Sequence, residues 1–331
     1  MKKIAVVILN WNGTELLKQF LPSVIEFSPE ASIYVADNAS TDDSIEVLKR
    51  DFPSIKIILN NNNYGFARGY NEALQFIEEP YYALVNSDIE VTENWLEPIL
   101  STFDSNNEIA IIQPKILAYN NKEYFEYAGA AGGYIDKFGF PFCRGRIFET
   151  LEKDTKQYND STEIFWATGA CFFIKKEAFN KLEGFDTDFF AHQEEIDLCW
   201  RAFNLGYKTI YNSKSVVYHI GGATLKTDSP HKTFFNFRNS LWMLLKNLPK
   251  KKLFTVIFLR LFLDGIAGIR FLFQGKLRHT FAVLKAHFYF YKFLFYFLKK
   301  RKNKQKENYY KNISIVYQYY IKNKVYFSDL I

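Results

Sequence analysis

Residues 194–201 read EEIDLCWR and gather Glu194, Glu195 and Asp197 within four positions. Carboxylates this close repel, and each raises its neighbour's affinity for a proton. Two readings are open. Acidic residues suit the positive end of a helix dipole, and Leu198, Ala202 and Leu205 would share one face of a helix ending at Gly206. A carboxylate within reach of a hydroxyl can instead take its proton and turn that oxygen into a nucleophile.

Four other stretches carry groups of chemical interest. VADNASTDDS (35–44) sets Asp37 and Asn38 after an apolar run, at the strand end where open α/β sheets bind ligands. An acid there can accept hydrogen bonds from a base N–H or a ribose hydroxyl; the same residues also make turns and helix caps. NNNYGFARGYNEAL (61–74) is a polar loop with Gly65 and Gly69 that opens a helix, a form that offers backbone N–H groups to an anion. Arg68 in it is either a phosphate contact or a solvated helix residue. It is neither a G-x-G-x-x-G nor a P-loop pattern, which weakens dinucleotide and ATP readings. YYALVNSDIEV (81–91) delivers Asn86, Ser87 and Asp88 to a strand end, and oxygen ligands there suit a hard divalent cation. VVYHIGG (216–222) places His219 after another strand, as a structural residue or a ligand.

The elements that must position these groups are legible in the first 112 residues. Short apolar runs at Ile4–Leu9, Ser32–Ala36, Lys56–Leu59, Tyr81–Val85 and Ile109–Ile112 read as strands. Helical patterns over Gly13–Glu26, Asp42–Arg50, Ala67–Ile77 and Glu93–Thr102 alternate with them. Apolar strands separated by such helices predict a mostly parallel sheet covered on both faces. Residues 113–160 are glycine-rich and read as an irregular excursion with a small hairpin. Residues 164–179 read as a strand turning into a helix, and a short strand pair follows near Lys208–Tyr211 and Val216–Tyr218.

With 48% hydrophobic and 18% aromatic residues, the chain is not disordered. Cys143, Cys171 and Cys199 have no zinc-like spacing and read as reduced thiols of a cytosolic protein. The apolar start is too short for a signal peptide and reads as a buried strand. The net charge of +6 hides an asymmetry. Residues 250–331 hold 18 Lys and Arg against 3 Asp and Glu, whereas residues 1–249 hold 24 against 33. From about Phe234 the chain turns to long, aromatic, basic helices. Arg260, Asp264 and Arg270 interrupt the apolar run, which argues against a transmembrane helix. Such helices suit a membrane interface, or packing on the rest of the chain or a homodimer partner. No nucleic-acid module accompanies the basic tail, so nucleic acid is not the expected partner.

Taken in order, VVILNWNG, VADNASTDDS, NNNYGFARGYNEAL, LVNSD, WATGACFFIKKEAF, GFDTDFFAHQEEIDLCWR and HIGGAT resemble the family 2 glycosyltransferases. The bacterial branch with rhamnosyltransferase-like enzymes of cell-surface polysaccharide assembly is the most similar. The resemblance runs from Ile4 to about Asn239. It implies a GT-A fold, a Rossmann-like sheet with helices on both faces, as a catalytic unit over residues 1–240. Residues 241–331 then form a helical extension at the membrane interface.

The implied activity is inverting transfer of a sugar from a dTDP- or UDP-linked donor, with rhamnose the suggested sugar. The acceptor would be a hydroxyl of a glycan or a lipid-linked glycan, met at the inner face of the cell membrane. Leu9, Asn10, Asn12, Asp37, Asn38, Gly65 and Arg68 match donor-side positions. Asn86, Ser87 and Asp88 occupy the D-x-D position with Asn86 in place of the first acid. Asp88 and His219 are the implied ligands of Mn²⁺ or Mg²⁺. The family commonly carries E-D-x-D-L-C-x-R where this chain has EEIDLCWR, which assigns the catalytic base to Glu195, with Glu194 as the fallback. Gly169 and Asp197 fall on the acceptor side, and Asp197 is also expected to bond within the scaffold to Arg201. Two other classes stay in view: a GT-A protein that binds nucleotide-sugar or glycan without turnover, and a doubly wound oxidoreductase. The missing G-x-G-x-x-G speaks against the second.

Overall fold

The first strand explains the layering. β1 (Ile4–Asn10) sends Ile4, Val6 and Ile8 into one apolar layer and Ala5 and Val7 into the other, as the period of two demands. α1 (Thr14–Glu26), β2 (Ala31–Asp37), α2 (Ser44–Asp51), β3 (Lys56–Leu59), α3 (Gly65–Leu74) and β4 (Tyr81–Asn86) follow. α1 and α2 cover the first layer through Leu17, Leu21, Val24 and Leu48. α3 covers the second through Ala67, Tyr70, Ala73 and Leu74. The computed structural model describes residues 2–221, 229–302 and 304–330. Residues 222–224, the end of HIGGAT, lie outside them.

β3, β2, β1 and β4 pair in that order, all parallel. The register sets Asn10 beside Asp37, and Leu9 beside Asn86. Three carboxyl-terminal strand ends therefore stand side by side, at the edge where open α/β sheets bind their ligands.

The sheet continues with β5 (Ile89–Val91), β6 (Ile109–Ala118) and β7 (Asn121–Phe125), with α4 (Glu97–Ser105) between the first two. The excursion is more regular than expected. β8 (Gly133–Ile135), β9 (Pro141–Cys143), β10 (Arg146–Ile147) and β11 (Thr150–Leu151) form a second, four-stranded antiparallel sheet. β12 (Ser161–Ile164) and β13 (Cys171–Lys175) return to the main sheet, and β13 lies antiparallel between β4 and β6. α5 (Lys176–Lys181) and α6 (Glu194–Leu205) precede β14 (Lys208–His219).

The expected strand pair near 208–218 is corrected: it is the single strand β14, with an irregularity between Asn212 and Val216. Asn212 donates to Thr102 Oγ1 at 2.9 Å and Ser215 Oγ to the Trp95 carbonyl at 2.7 Å, so polar residues anchor the bulge. The three cysteines are unpaired and buried.

Among the described residues the α-helices that follow are α7 (Pro230–Asn247), α8 (Lys250–Phe273), α9 (Leu277–Lys292), α10 (Leu294–Lys299) and α11 (Ile315–Tyr320). α7 runs unbroken through residue 240 and buries Leu241, Trp242 and Leu244 in the layer shared with α3 and α6. Among the described residues, no helix is long and apolar enough to cross a membrane. Arg260 and Asp264, which interrupt the apolar run, point inward: Arg260 donates to the Gly139 carbonyl and to Ser240 Oγ, both at 2.8 Å.

Candidate active site

The residues expected on the donor side form one wall, and the Asp88–His219 pair and the acids that open α6 form two corners. On the donor wall, Asp37 is buried and gathers the turn around it. Its Oδ1 accepts from Asn10 Nδ2 at 2.9 Å and from Ser40 Oγ at 2.6 Å; its Oδ2 accepts from the Ser40 N–H at 2.8 Å. Asn12 is left-handed, with φ of 51°, a region asparagine tolerates well. Its N–H donates to Ser40 Oγ and its Oδ1 accepts from the Thr41 N–H at 2.7 Å. The loops after β1 and β2 are thereby tied together. Asn10 Oδ1 is enclosed and has no hydrogen-bond partner. A Cβ on Gly13 would meet that oxygen at 2.4 Å, so only glycine fits there.

Asn38 laces the wall to the next loop. Its Nδ2 donates to the Gly65 carbonyl at 3.0 Å, and its Oδ1 accepts from Asn60 Nδ2 at 2.8 Å. Leu9 is half-buried and packs against the neighbouring apolar layer. Two donor-side expectations are corrected. The Gly65 N–H donates to Asn63 Oδ1 at 3.0 Å, and the space beside its Cα is filled by Phe190. Gly65 therefore serves close packing and offers no N–H to an anion. Arg68 is half-exposed, ion-paired with Glu72 at 3.0 Å and stacked over Tyr64 at 4.0 Å, which matches a solvated helix residue.

The second corner is built by β4, β5 and β14. Asn86 and Ser87 end β4, and the Asn86 N–H donates to the Ala170 carbonyl. β5 and β14 pair His219 with Ile89, one residue from Asp88. His219 Nε2 lies 3.1 Å from Asp88 Oδ1, and its Nδ1 lies 3.3 Å from Glu126 Oε2. All three side chains are buried. Burial alone would lower the imidazole's pKa; the hydrogen bond to Asp88 and the nearby Glu126 carboxylate outweigh it and hold it at about 10, so a divalent ion would have to displace the Nε2 proton.

The 3.1 Å separation fits two donors of one small divalent ion, whose oxygen and nitrogen ligands sit about 2.0–2.2 Å from the metal. Glu126 behind Nδ1 is the orienting carboxylate that metal-binding histidines keep. Among the described residues no group of three His, Cys, Asp or Glu side chains is spaced as a ready-made cage. Glu126 escapes sequence reasoning, since nothing in a glycine-rich stretch marks it. It fits because Gly221 lacks a Cβ, which would fall 2.7 Å from Glu126 Oε1.

The acid corner begins in an unusual turn. Phe190, His192 and Gln193 all have positive φ, at 61°, 71° and 74°. Such backbone persists only when its surroundings fix it. Asn239 on α7 does so, donating Nδ2 to the carbonyls of Phe189, Ala191 and His192 at 2.9, 2.9 and 2.7 Å. α6 starts immediately afterwards with Glu194 and Glu195. Neither Glu194 Oε2 nor Glu195 Oε2 has a hydrogen-bond partner, and both atoms are enclosed. Burial, then the charge of Glu195, pushes the Glu194 carboxyl far above the usual range. Burial raises Glu195 to about 7, against the pull of backbone N–H groups at Glu195, Ile196 and Gln193.

The acceptor-side placement of Asp197 is corrected. It is fully buried and accepts from Arg201 Nε at 2.8 Å, Lys246 Nζ at 2.9 Å and Asn247 Nδ2 at 2.7 Å. Opposite charges and burial make it part of the scaffold, with the expected bond to Arg201 present. Gly169 borders the turn at Asn86, but the Phe66 ring already lies 3.2 Å from where a Cβ would stand. Its openness serves that contact.

The two corners share one neighbour. Charges of Glu126 and Glu195 both act on the buried Cys143 thiol, which burial pushes up. Arg146 Nη2 lies 3.7 Å from the same sulfur, and its Nε is enclosed without a partner. Buried His192 is lowered to about 4 by burial and by Lys232 and His231 nearby. Neither Arg146 nor His192 is signalled by any spacing in the sequence. Arg238 is buried, stacked on Trp242 at 4.2 Å, and bonds the Phe189 carbonyl at 3.3 Å.

This fold and site define a GT-A sugar transferase. The model of the glycosyl transferase family 2 matches residues 5–183, and the chain belongs to that family. An N-acetylglucosaminyl-diphospho-decaprenol L-rhamnosyltransferase of Mycobacterium tuberculosis is 20% identical over 244 residues, covering 69% of this chain and 80% of the relative. The low-salt glycan biosynthesis hexosyltransferase Agl10 of Haloferax volcanii is 21% identical over 287 residues, covering 83% and 87%. Among solved structures, GalNAc-T7 with UDP, GalNAc and Mn²⁺ superposes with a TM-score of 0.59 at 19% identity. The match covers 76% of this chain and only 49% of that one. The mannosyltransferase PcManGT of Pyrobaculum calidifontis, with GDP-Man and Mn²⁺, gives 0.54 at 12% identity, covering 88% and 75%. The chain is an enzyme of the glycosyltransferase class.

Proposed function

We propose that the protein transfers a sugar, with inversion, from a dTDP- or UDP-linked donor to a hydroxyl of a glycan or lipid-linked glycan. Rhamnose is the sugar we put first, because a relative that matches over most of its own length is a rhamnosyltransferase. The observation that carries the reading is Glu195, whose enclosed Oε2 has no hydrogen-bond partner and whose carboxyl burial raises to about 7.

Glu195 takes the proton of the acceptor hydroxyl while that oxygen bonds to the anomeric carbon. The bond from that carbon to the diphosphate breaks as the new one forms, and the diphosphate leaves with the electron pair. A pKa near the working pH lets one group be both ionised and basic enough, worth about 10²–10⁴ in rate. Glu194 stands beside it, its own carboxyl pushed up by burial and by the charge of Glu195. Asp88 and His219 would hold Mn²⁺ or Mg²⁺, and the ion's charge would offset that developing on the diphosphate. Asn10 Oδ1 and the loops tied by Asn12 and Ser40 shape the nucleotide end.

We assign the chemistry to residues 1–240 and membrane contact at the cell's inner face to residues 241–331, where lipid-linked acceptors are met. The test is donor turnover: purified protein with candidate dTDP- and UDP-sugars, Mn²⁺ and a polyprenyl-diphosphate sugar acceptor. Anomeric configuration of the product is read by NMR. Absence of transfer from every such donor, or retention of configuration, overturns the reading.

A further inference from the structure

α8 and α9 form a hairpin whose inward side is accounted for. α8 buries Val256, Arg260, Asp264 and Gly268, one residue per turn. α9 buries Ala282, Ala286 and Phe290 and packs against α7, where Phe234 meets Tyr289 edge-to-face at 5.4 Å. The other side is not. Phe254, Phe258, Phe262 and Phe273 on α8 are 82, 61, 62 and 86% exposed. Phe281 and Phe288 on α9 are 67 and 64% exposed. The spacing 254, 258, 262 is that of one helical face, set roughly opposite Val256 and Arg260. Soluble monomers rarely expose contiguous apolar surface of this extent.

We infer that this hairpin face is a docking surface for an anionic lipid bilayer, lying in the interface plane with its phenylalanines in the acyl boundary. Charge decides the occupant. Exposed Lys251, Arg270, Arg278, Lys285 and Lys292 accompany the aromatic face, and residues 250–331 carry 18 cations against 3 anions. A second copy would bring like charges together. An anionic leaflet matches them, and helices of this kind bind membranes by apolar burial plus attraction to anionic lipid. The hairpin lies in the interface plane, since among the described residues no helix is long and apolar enough to cross a membrane.

The position has a consequence for the site. α9 packs on α7, and Asn239 of α7 holds the turn that precedes Glu194. Docking therefore sets the acid corner one helix layer from the lipid surface. The proposal rests on the reading above only for what the membrane presents; binding itself needs no donor.

The test is flotation of the full chain with phosphatidylcholine vesicles, with and without phosphatidylglycerol, at low and high salt. Wild type should float with phosphatidylglycerol vesicles and lose binding as salt rises. The triple variant Phe258→Ser, Phe262→Ser, Phe281→Ser should bind at least about tenfold more weakly, since each loses a buried ring. Its melting temperature and its donor turnover without vesicles should stay unchanged, because these side chains face solvent. Arg278→Glu with Lys285→Glu should remove the salt-dependent part. Failure of wild type to float, or undiminished flotation of the triple variant, overturns the proposal. So does a dimer in sedimentation that the triple variant dissolves while flotation persists. Loss of sugar transfer in wild type with flotation intact would overturn the proposed reaction and leave the docking surface standing.

Discussion

Asn239 Nδ2 donates to the His192 carbonyl at 2.7 Å, two residues before the buried Glu194. The orientation of the amide is fixed, because Arg238 Nε donates to Asn239 Oδ1 at 2.8 Å. A helix outside the sheet thus holds three carbonyls of a left-handed turn and sets where α6 begins. Asn239→Ala leaves buried acceptors unpaired, at a cost of about 1–3 kcal/mol. The turn relaxes, and misplacement of about 1 Å lowers kcat by about 10²-fold. Asn239→Asp should be worse than alanine, since a carboxylate would face carbonyl oxygens. A merely structural role predicts lower stability with kcat of the folded fraction unchanged; steady-state kinetics beside thermal melts separates the two.

Glu195→Gln removes the base and should lower kcat by about 10²–10⁴-fold, with donor affinity by calorimetry unchanged. In wild type, kcat/KM should rise with pH and level off above about 7, where Glu195 is ionised. That limb should vanish in the variant. The stability effect has the opposite sign. A carboxyl whose folded pKa is raised stabilises the fold below its unfolded pKa of about 4.3, and loses that contribution as pH rises through 7. At pH 8 the amide carries no charge to bury, so Glu195→Gln should melt a few degrees higher than wild type. Equal melting temperatures at pH 8 would contradict the burial argument.

The ion-binding corner makes a separate prediction. His219→Ala and Asp88→Asn should each abolish any Mn²⁺-dependent rise in melting temperature. Glu126→Gln, which only orients the imidazole, should weaken Mn²⁺ binding by about 10–100-fold. Calorimetric titration of Mn²⁺ in the presence of UDP or dTDP reads this directly. Unchanged affinity in Glu126→Gln would return that residue to a structural role.

Asp197 should behave as scaffold. It is fully buried between Lys246 and Arg201, and their charges, with its hydrogen bonds, hold its carboxyl below the usual range despite burial. Breaking such a pair from one side costs about 3–5 kcal/mol. Asp197→Asn should therefore lower stability strongly and leave the KM for acceptor unchanged. Because the folded pKa is depressed, the contribution is present above about pH 4 and fades as pH falls further. Urea unfolding at pH 7 and pH 3 should show the difference between variant and wild type shrinking in acid.

The sequence declared its first half plainly. β1 to β4 are short apolar runs closed by Asn, Asp and Ser, and their observed ends lie within a residue of those read from the pattern. β6 is read from the sequence as ending at Ile112, whereas it runs on to Ala118 through Gln113 and Lys115. Both are buried: Gln113 Nε2 donates to the Gly129 carbonyl at 3.0 Å, and Lys115 pairs with Asp154 at 2.7 Å. Asp88 and His219 were legible through motif order, and they meet. Asn239 and Glu126 are not, since each acquires its role from a partner dozens of residues away. Gly65 and Asp197 misled in the other direction. Their types suit ligand contact, and only the neighbouring side chains reveal that those contacts are already made within the chain.

Gly65 supplies the sharpest packing test. Its φ is +70°, and an added Cβ would lie 2.7 Å from both the ring of Phe190 and the Phe190 carbonyl oxygen. Across the same contact, the Phe66 N–H donates to that carbonyl at 2.8 Å. Gly65→Ala must therefore move residue 190, which leads into the turn that sets Glu194 and Glu195. Loss of activity should exceed what the left-handed backbone alone would cause, about 1 kcal/mol of stability. Removing the ring does not cure this, because the clash with the carbonyl is a backbone clash. The double variant Gly65→Ala, Phe190→Ala should stay as impaired in kcat as Gly65→Ala. Full rescue by the second substitution would mean that only the ring was in the way, and that the 190–193 turn can hold its course without the hydrogen bond to Phe66.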